Sequence, residues 1–447
     1  MAVFNQSHTG ENIQEMIEDL LQNKLDINLQ SWPLFATSDN ASNMVRGLGL
    51  SMLEMYGCVN HTQQLGILDS FKAFKGDLDY TMLDVSDKCK DLASHLHKSP
   101  LSSKLLGSEC NRLGHSSKVI HQANDTRWDS RCQNMEDVLF HEQCLLSLAG
   151  QGKLKVKPKD GPAYSLVPSI EEFRMLKAAV KVLKVCKITT KVMEQEKVPT
   201  VPLVTQRLYD MDKEFDLLIE EDDDDVVTEF CEVLQENIRK RFPQYGTDRD
   251  LNAFGNYLNP CCKGVHLKLV HKFEQTKALL EEKLKLWKKE EIVHDDLEEE
   301  AESLSIEPVS KLSPTEMLKK QMKEKEMGQL QAGKKGRRGR PLSNAFEEDL
   351  TPLRMEMKSF ELLGDEKEGV DMLEWWKIHS NMFPLLSFLA RIVFAVSAAS
   401  SKSERVFSAA GSVLSPRRTR LNPDKVEDLL TIKLNLALLK EYGRWRK

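Results

Sequence analysis

With 447 residues, of which 40% are hydrophobic and 30% charged, the chain is long enough for two or three domains and reads as a soluble, partly helical protein. No run approaches the roughly 20 apolar residues of a membrane span, and the opening MAVFNQSHTGENIQEM lacks a basic-then-apolar leader, so an intracellular protein without a membrane partner is expected. Nine cysteines without a CxxC pair argue against a disulfide framework. The net charge of −6 conceals segregation, because acidic EEDDDD at 220–225 and LEEEAE at 297–302 oppose basic KKGRRGR at 334–340.

Taken in order, residues 8–25 place Ile13, Met16, Ile17, Leu20 and Leu21 at helical spacing, which predicts an amphipathic helix. A short apolar run at 33–37 (PLFAT), a helical stretch to Met55 and a second short run at 56–59 predict a strand, helix, strand unit. Asp39 then falls at the C-terminal end of the first strand, where open α/β sheets place ligand-binding groups. Asp39 with Asn40 reads equally as a helix N-cap. Cys58 and His61 have metal-like spacing, but they make half a zinc site with no second half nearby, so a structural role is expected and no metal.

Residues 71–140 are helical with polar interruptions and include NDTRWDSRCQNMEDVL at 124–139. Trp128 either packs in the core at a helix start or offers its indole face to an unstacked base. A Lys- and Gly-rich loop at 150–167 separates helices. Helical patterns follow at 169–195, 203–218, 226–242 and 265–292, the last with Val270, Phe273, Leu280, Leu284 and Trp287 near a heptad seam. The stretch 294–350 is rich in Glu, Lys, Ser and Gly and is expected to be a mobile linker. Within it, GKKGRRGRP reads either as a nuclear localisation signal or, through Arg338, Gly339, Arg340 and Pro341, as an AT-hook core for the minor groove.

Order is expected to resume past Glu361. Trp375 and Trp376 begin a compact helical unit, the apolar run 384–396 follows, and SERVFSAAG at 403–411 sets Glu404 on a small, apolar segment. That carboxylate suits a helix's first turn, facing the positive end of the dipole or pairing with Arg405 or Arg417. Asn422 and Pro423 predict a helix start. In the ensuing helix Val426, Leu429, Leu430, Ile432, Leu434, Leu436, Leu438 and Leu439 go most of the way round, so it must be buried in this core or against another subunit.

The block EWWKIHSNMFPLLSFLARIVFAVSAASSKSERVFSAAG with RRTRLNPDKVEDLLTIKLNL, over about 374–438, resembles the C-terminal signature of hAT-superfamily DNA transposases and the zinc-finger BED proteins derived from them. Ser397 stands where the family has a Pro, and Lys402 where it has a small residue. The resemblance implies that Glu404 corresponds to the third acid of a ribonuclease H-like nuclease site. ATSDNASNM and CVNHTQQL likewise resemble the family's second-acid and Cys-x-x-His segments, so Asp39 corresponds to the second acid. Arg127 and Trp128 resemble the Arg-Trp element associated with the transposon end, and NAFGNYLNPCCKG a landmark late in the helical insertion.

The fold class this implies is α/β plus all-α, a truncated ribonuclease H-like core interrupted by a large helical insertion and mostly helical overall. The expected domains are a core remnant at 1–65, a helical insertion at 66–293, a charged linker at 294–360 and a C-terminal hAT dimerisation region at 361–447. No strand bearing the first acid is visible upstream of Asp39, so Asp39 and Glu404 are expected to be vestigial, with no cleavage and no cofactor; the alternatives are a fragment of an active hAT transposase, in which Mg or Mn enters once the acid set is completed, and a purely structural protein-interaction module. The expected partners are itself or a related hAT protein, through Trp375, Trp376, Phe407, Leu430 and Leu434, and DNA through Arg127, Trp128, Arg338 and Arg340. The expected location is the nucleus.

Overall fold

The computed structural model describes residues 7–28, 33–51, 53–124, 128–157, 162–291, 351–413 and 423–441. The chain is mostly helical and folds as two units. One comprises Met1–Tyr56, Gln195–Thr205 and Arg249–Lys447, the other Gly57–Glu194 and Gln206–Asp248. The helical stretch expected as a single insertion over 66–293 is thus divided, its last part belonging with the chain termini.

In the first unit, α1 (Gly10–Asp19) begins at Thr9, whose hydroxyl accepts the Asn12 amide. It packs on α2 (Ser42–Leu50) closely enough that a Cβ on Gly47 would lie 2.8 Å from Ile13 Cγ2. Glu11, on α1, pairs with Arg46. The two strands flanking α2 are β1 (Phe35–Ser38) and β2 (Glu54–Gly57), and they form one sheet, with the Glu54 amide donating to the Leu34 carbonyl (2.8 Å). A strand pair this small is marginal without cover. Cover comes from α11 (Asp250–Leu258) and α13 (Phe273–Glu291): the Tyr56 hydroxyl donates to Asn252, Phe35 meets Trp287 edge to face with centroids 6.2 Å apart, and Lys283 pairs with Glu54 at 3.0 Å.

These contacts explain why 249–291 leaves the expected insertion. A further tie is Gly255, on α11, where an added Cβ would lie 2.9 Å from Pro202 Cα and 3.0 Å from Pro202 N. Since both neighbours are backbone and cannot swing aside, Gly255→Ala is expected to cost about 1–3 kcal/mol by overpacking. Chemical denaturation followed by circular dichroism measures it, and an unchanged midpoint would remove the close approach from the account.

The single helix expected over 265–292 is two, α12 (Val265–Leu269) and α13, broken where His271 takes a positive φ of 57° and the Lys272 amide turns back to the Leu267 carbonyl. The break brings the Phe273 ring under Gly264, itself at φ 74°, where a Cβ would lie 2.9 Å from Cε2. On α12, burial holds the buried His266 below the ordinary value of 6.5. Its folded pKa lies below its unfolded one, so its contribution to stability is present above that value and is lost as pH falls. Between about pH 7.5 and about pH 5.5, the wild type is expected to lose more stability than His266→Asn; equal losses would show that His266 contributes nothing to the acid sensitivity.

Residues 352–360, expected to belong to the linker, lie instead in a helix: α14 (Pro352–Leu362) starts at the Thr351 cap and buries Leu353, Met357 and Phe360 at helical spacing. Residues 292–350 lie outside the described residues. Then come α15 (Met372–Ile378), α16 (Pro384–Ala395), α17 (Ser401–Val413) and α18 (Pro423–Glu441). Glu356 on α14 accepts the Leu385 and Leu386 amides (3.0 and 2.9 Å), placing a carboxylate at the N-terminus of α16.

The second unit contains α3 (Val59–Ala73), α4 (Met82–Lys98), α5 (Pro100–Arg112), α6 (Trp128–Phe140), α7 (Glu142–Gly150), α8 (Ile170–Met193), most of α9 (Val204–Glu221) and α10 (Asp225–Arg241). Capping boxes at Thr81 with Asp84 and at Ser169 with Glu172 start α4 and α8. Within the loop expected at 150–167, β3 (Lys155–Val156) and β4 (Tyr164–Ser165) form a small antiparallel hairpin, Lys155 opposite Ser165. Phe71, Phe74 and Phe230 form the aromatic centre. All nine cysteines are free thiols and all but Cys261 are buried, in keeping with the expected reduced core. Among the described residues no helix is long and apolar enough to cross a membrane.

Candidate functional site

Asp39 directly follows β1, as expected. Its side chain does not cap α2, whose N-cap is Ala41 without a side-chain bond; Asp39 Oδ1 instead accepts the Ala41 amide at 3.3 Å. Glu404 sits in the first turn of α17, the position the dipole argument assigned to it. Arg405 reaches Glu196 at 2.7 Å, and Arg417, the other expected partner, lies outside the described residues. The segments carrying the two acids are nonetheless tied. Thr37 Oγ1, on β1, donates to the Ser397 carbonyl at 2.7 Å, and the Ala398 amide donates to Thr200 Oγ1 at 2.8 Å, just ahead of α17.

Both acids are exposed, and among the described residues no three His, Cys, Asp or Glu side chains group as metal ligands. A two-ion nuclease clamp needs carboxylates converging on shared ions. Cys58 has the structural role expected of it, as the N-cap of α3, its Sγ accepting the His61 amide at 3.4 Å.

Trp128 is buried at the start of α6. The packing alternative therefore describes it in this structure, and a base can stack on it only after the ring is uncovered. One turn on, Arg131 donates to Asp87 at 2.7 Å and to Ser86 at 3.1 Å. Arg127, Arg338 and Arg340, the other expected DNA contacts, lie outside the described residues.

The expected dimerisation residues separate into two groups. Trp375 and Trp376 are interior: they pack on each other (centroids 4.9 Å) and on Phe360 and Phe383, while Trp375 Nε1 donates to Glu366 and Trp376 Nε1 to the Leu258 carbonyl, each at 3.0 Å. Expected at the partner surface, they instead build the protomer's own core, because an indole buried on all sides needs a donor outlet and finds one within the chain. Leu430 is likewise inside, against Val426 and Ala410, where α18 rests on α17.

Phe407 on α17 and Leu434 on α18 are exposed, at 65% and 47%. The fuller surface was not singled out from the sequence. Leu429, Ile432 and Leu436 recur at i, i+3 and i+7, so they share one face of α18, and all three are exposed. The signal was present in the helix that is apolar nearly all round. Which side the protomer covers depends on where α17 lies.

Residues 353–436 match the hAT family C-terminal dimerisation region. Over 75 residues the chain is 37% identical to the putative AC9 transposase of Zea mays, a stretch covering 17% of this chain and 9% of that protein. Over 63 residues it is 40% identical to the putative AC transposase of Zea mays, covering 14% and 8% respectively. Each alignment thus spans less than a tenth of the relative's length.

Proposed function

We propose that this chain, related to hAT transposases and carrying a hAT dimerisation region at its C-terminus, pairs with itself or with a related hAT protein and binds DNA in the nucleus without cutting it. The observation that carries the reading is the row Leu429, Ile432 and Leu436, apolar and exposed on α18 inside the matched region. Large apolar side chains aligned on one helix face are stabilised by a second apolar surface, and a symmetric pair, each copy presenting the same patch to the other, supplies it with no further component.

The DNA-binding part is supported by the resemblance of the Arg127-Trp128 element, by the basic run at 334–340, and by relatives named as transposases. The absence of cutting is supported by Asp39 and Glu404 standing exposed with no third ligand grouped beside them among the described residues. Sedimentation velocity over a range of concentrations tests the pairing, and a purely monomeric boundary throughout overturns it. Incubation with supercoiled plasmid and Mg or Mn tests the second half: retention with the plasmid intact is expected, and nicked product overturns the non-cleaving reading. A fluorescent fusion lacking 334–340 tests the nuclear assignment, since unchanged nuclear accumulation would take that run out of the argument.

A further inference from the structure

α8 carries six cations, Arg174, Lys177, Lys181, Lys184, Lys187 and Lys191. Spaced three or four residues apart, they form one row along the helix, and its opposite side is buried core. Such a row is ordinarily relieved by acids one turn away on the same helix. Here the acids of α8, Glu171 and Glu172, both lie in its first turn, and Glu172 is taken up by the capping box, Tyr80 and Lys88.

Counter-charge is brought from other elements of the same unit. Asp224 Oδ1 receives Arg174 Nη2 at 2.7 Å, and Asp222 pairs with Lys181. Glu142 receives Lys177 at 2.8 Å, and Asp129 and Glu136 face Lys187 at 3.5 and 3.8 Å. Asp222 and Asp224 belong to the acidic run at 220–225, in the turn between α9 and α10. The Asp222 side chain is only 8% exposed, so this carboxylate is seated against the row. Arg174, Lys177 and Lys181 all keep half their surface in water, within reach of a competing anion.

From Arg174 to Lys191 the row is about 25 Å long at 1.5 Å per residue, the length of roughly seven base pairs of duplex. One turn before its far end stands Lys187, whose partner Asp129 directly follows Trp128. The row therefore leads to the start of α6, the segment that the Arg-Trp resemblance associates with DNA.

We propose that the cation row of α8 is a surface for the phosphate backbone of duplex DNA, occupied in the free protein by the acidic turn at 222–224, which stands in for phosphate until DNA displaces it. This rests on the reading that the chain binds DNA, and it adds where the backbone lies and what opposes it. The opposition is electrostatic: each carboxylate held on the row must be released before a phosphate takes its place, so removing those charges strengthens DNA binding.

The test uses the full chain, a labelled 20-base-pair duplex of arbitrary sequence and fluorescence anisotropy at about 50 and about 200 mM KCl. In the double variant Asp222→Asn with Asp224→Asn, the side-chain oxygens that accept the Asp224 and Val226 amides at 3.1 and 3.0 Å are kept, and Asn caps a helix as well as Asp does. Only the charges go. This variant is expected to bind about 10-fold tighter at the lower salt, with a salt slope steeper by about one to two. Arg174→Gln with Lys181→Gln and Lys184→Gln is expected to weaken binding and flatten the slope.

If the wild type binds DNA but neither variant differs from it, the row is not where DNA lies, while the DNA-binding reading stands. If no form binds at either salt, that reading fails and takes this inference with it.

Discussion

Ile432→Asp with Leu436→Asp is expected to abolish the proposed self-pairing without unfolding the chain. Each of these side chains still exposes about 37% of its surface, so docking buries about 0.5–1 kcal/mol worth apiece; the two copies together lose four of them, which weakens the pair by about 2–4 kcal/mol, on the order of thirtyfold to a thousandfold in Kd. Two carboxylates facing their symmetry mates add repulsion. Both positions are exposed in the protomer, so the folded monomer is not strained by the change. Sedimentation velocity reads the association and circular dichroism the fold. A dimer that persists at unchanged affinity would move the partner surface away from this face. Leu430→Asp is the contrasting case, since Leu430 is buried against Val426 and Ala410, and there the helix is expected to come off α17 altogether.

Trp376→Ala is expected to destabilise the first unit by about 3–5 kcal/mol, the cost of emptying an aromatic site in a core. The ring is packed between Trp375, Phe360 and Phe383, and its Nε1 donates to the Leu258 carbonyl at the end of α11. Substitution therefore leaves a cavity and also strips a buried carbonyl of its donor, which adds about 1–3 kcal/mol if no water replaces it. Trp376→Phe keeps much of the volume and loses the donor, so it separates the two contributions. Were Trp376→Ala to leave the denaturation midpoint in place while abolishing dimerisation, the tryptophan would belong to the interface after all.

These two experiments probe one ambiguity. A C-terminal region that is apolar in sequence must bury itself somewhere, and the pattern does not say whether the cover is internal or comes from a second copy. The structure divides the region by burial. The tryptophans, Val426 and Leu430 turn inward, whereas Phe407, Leu429, Ile432, Leu434 and Leu436 remain outward.

The sequence by itself determined the local elements: β1 and β2 with a helix between them, Asp39 at the strand end, Glu404 in a first turn, Cys58 as a structural residue, and the helices from 169 to 242. Each follows from period, caps and short-range geometry, which act over a few residues. It also carried the hAT likeness of the C-terminal region. Only the tertiary structure decided that α11 and α13 brace the strand pair, that 352–362 forms a helix, that the helix expected over 265–292 breaks at His271, and that Asp222 and Asp224 rest on the cations of α8. Those outcomes depend on contacts between residues far apart in the chain, such as Phe35 with Trp287 and Arg174 with Asp224. A periodic pattern specifies which side of a helix needs a neighbour, and it contains no term for which neighbour arrives.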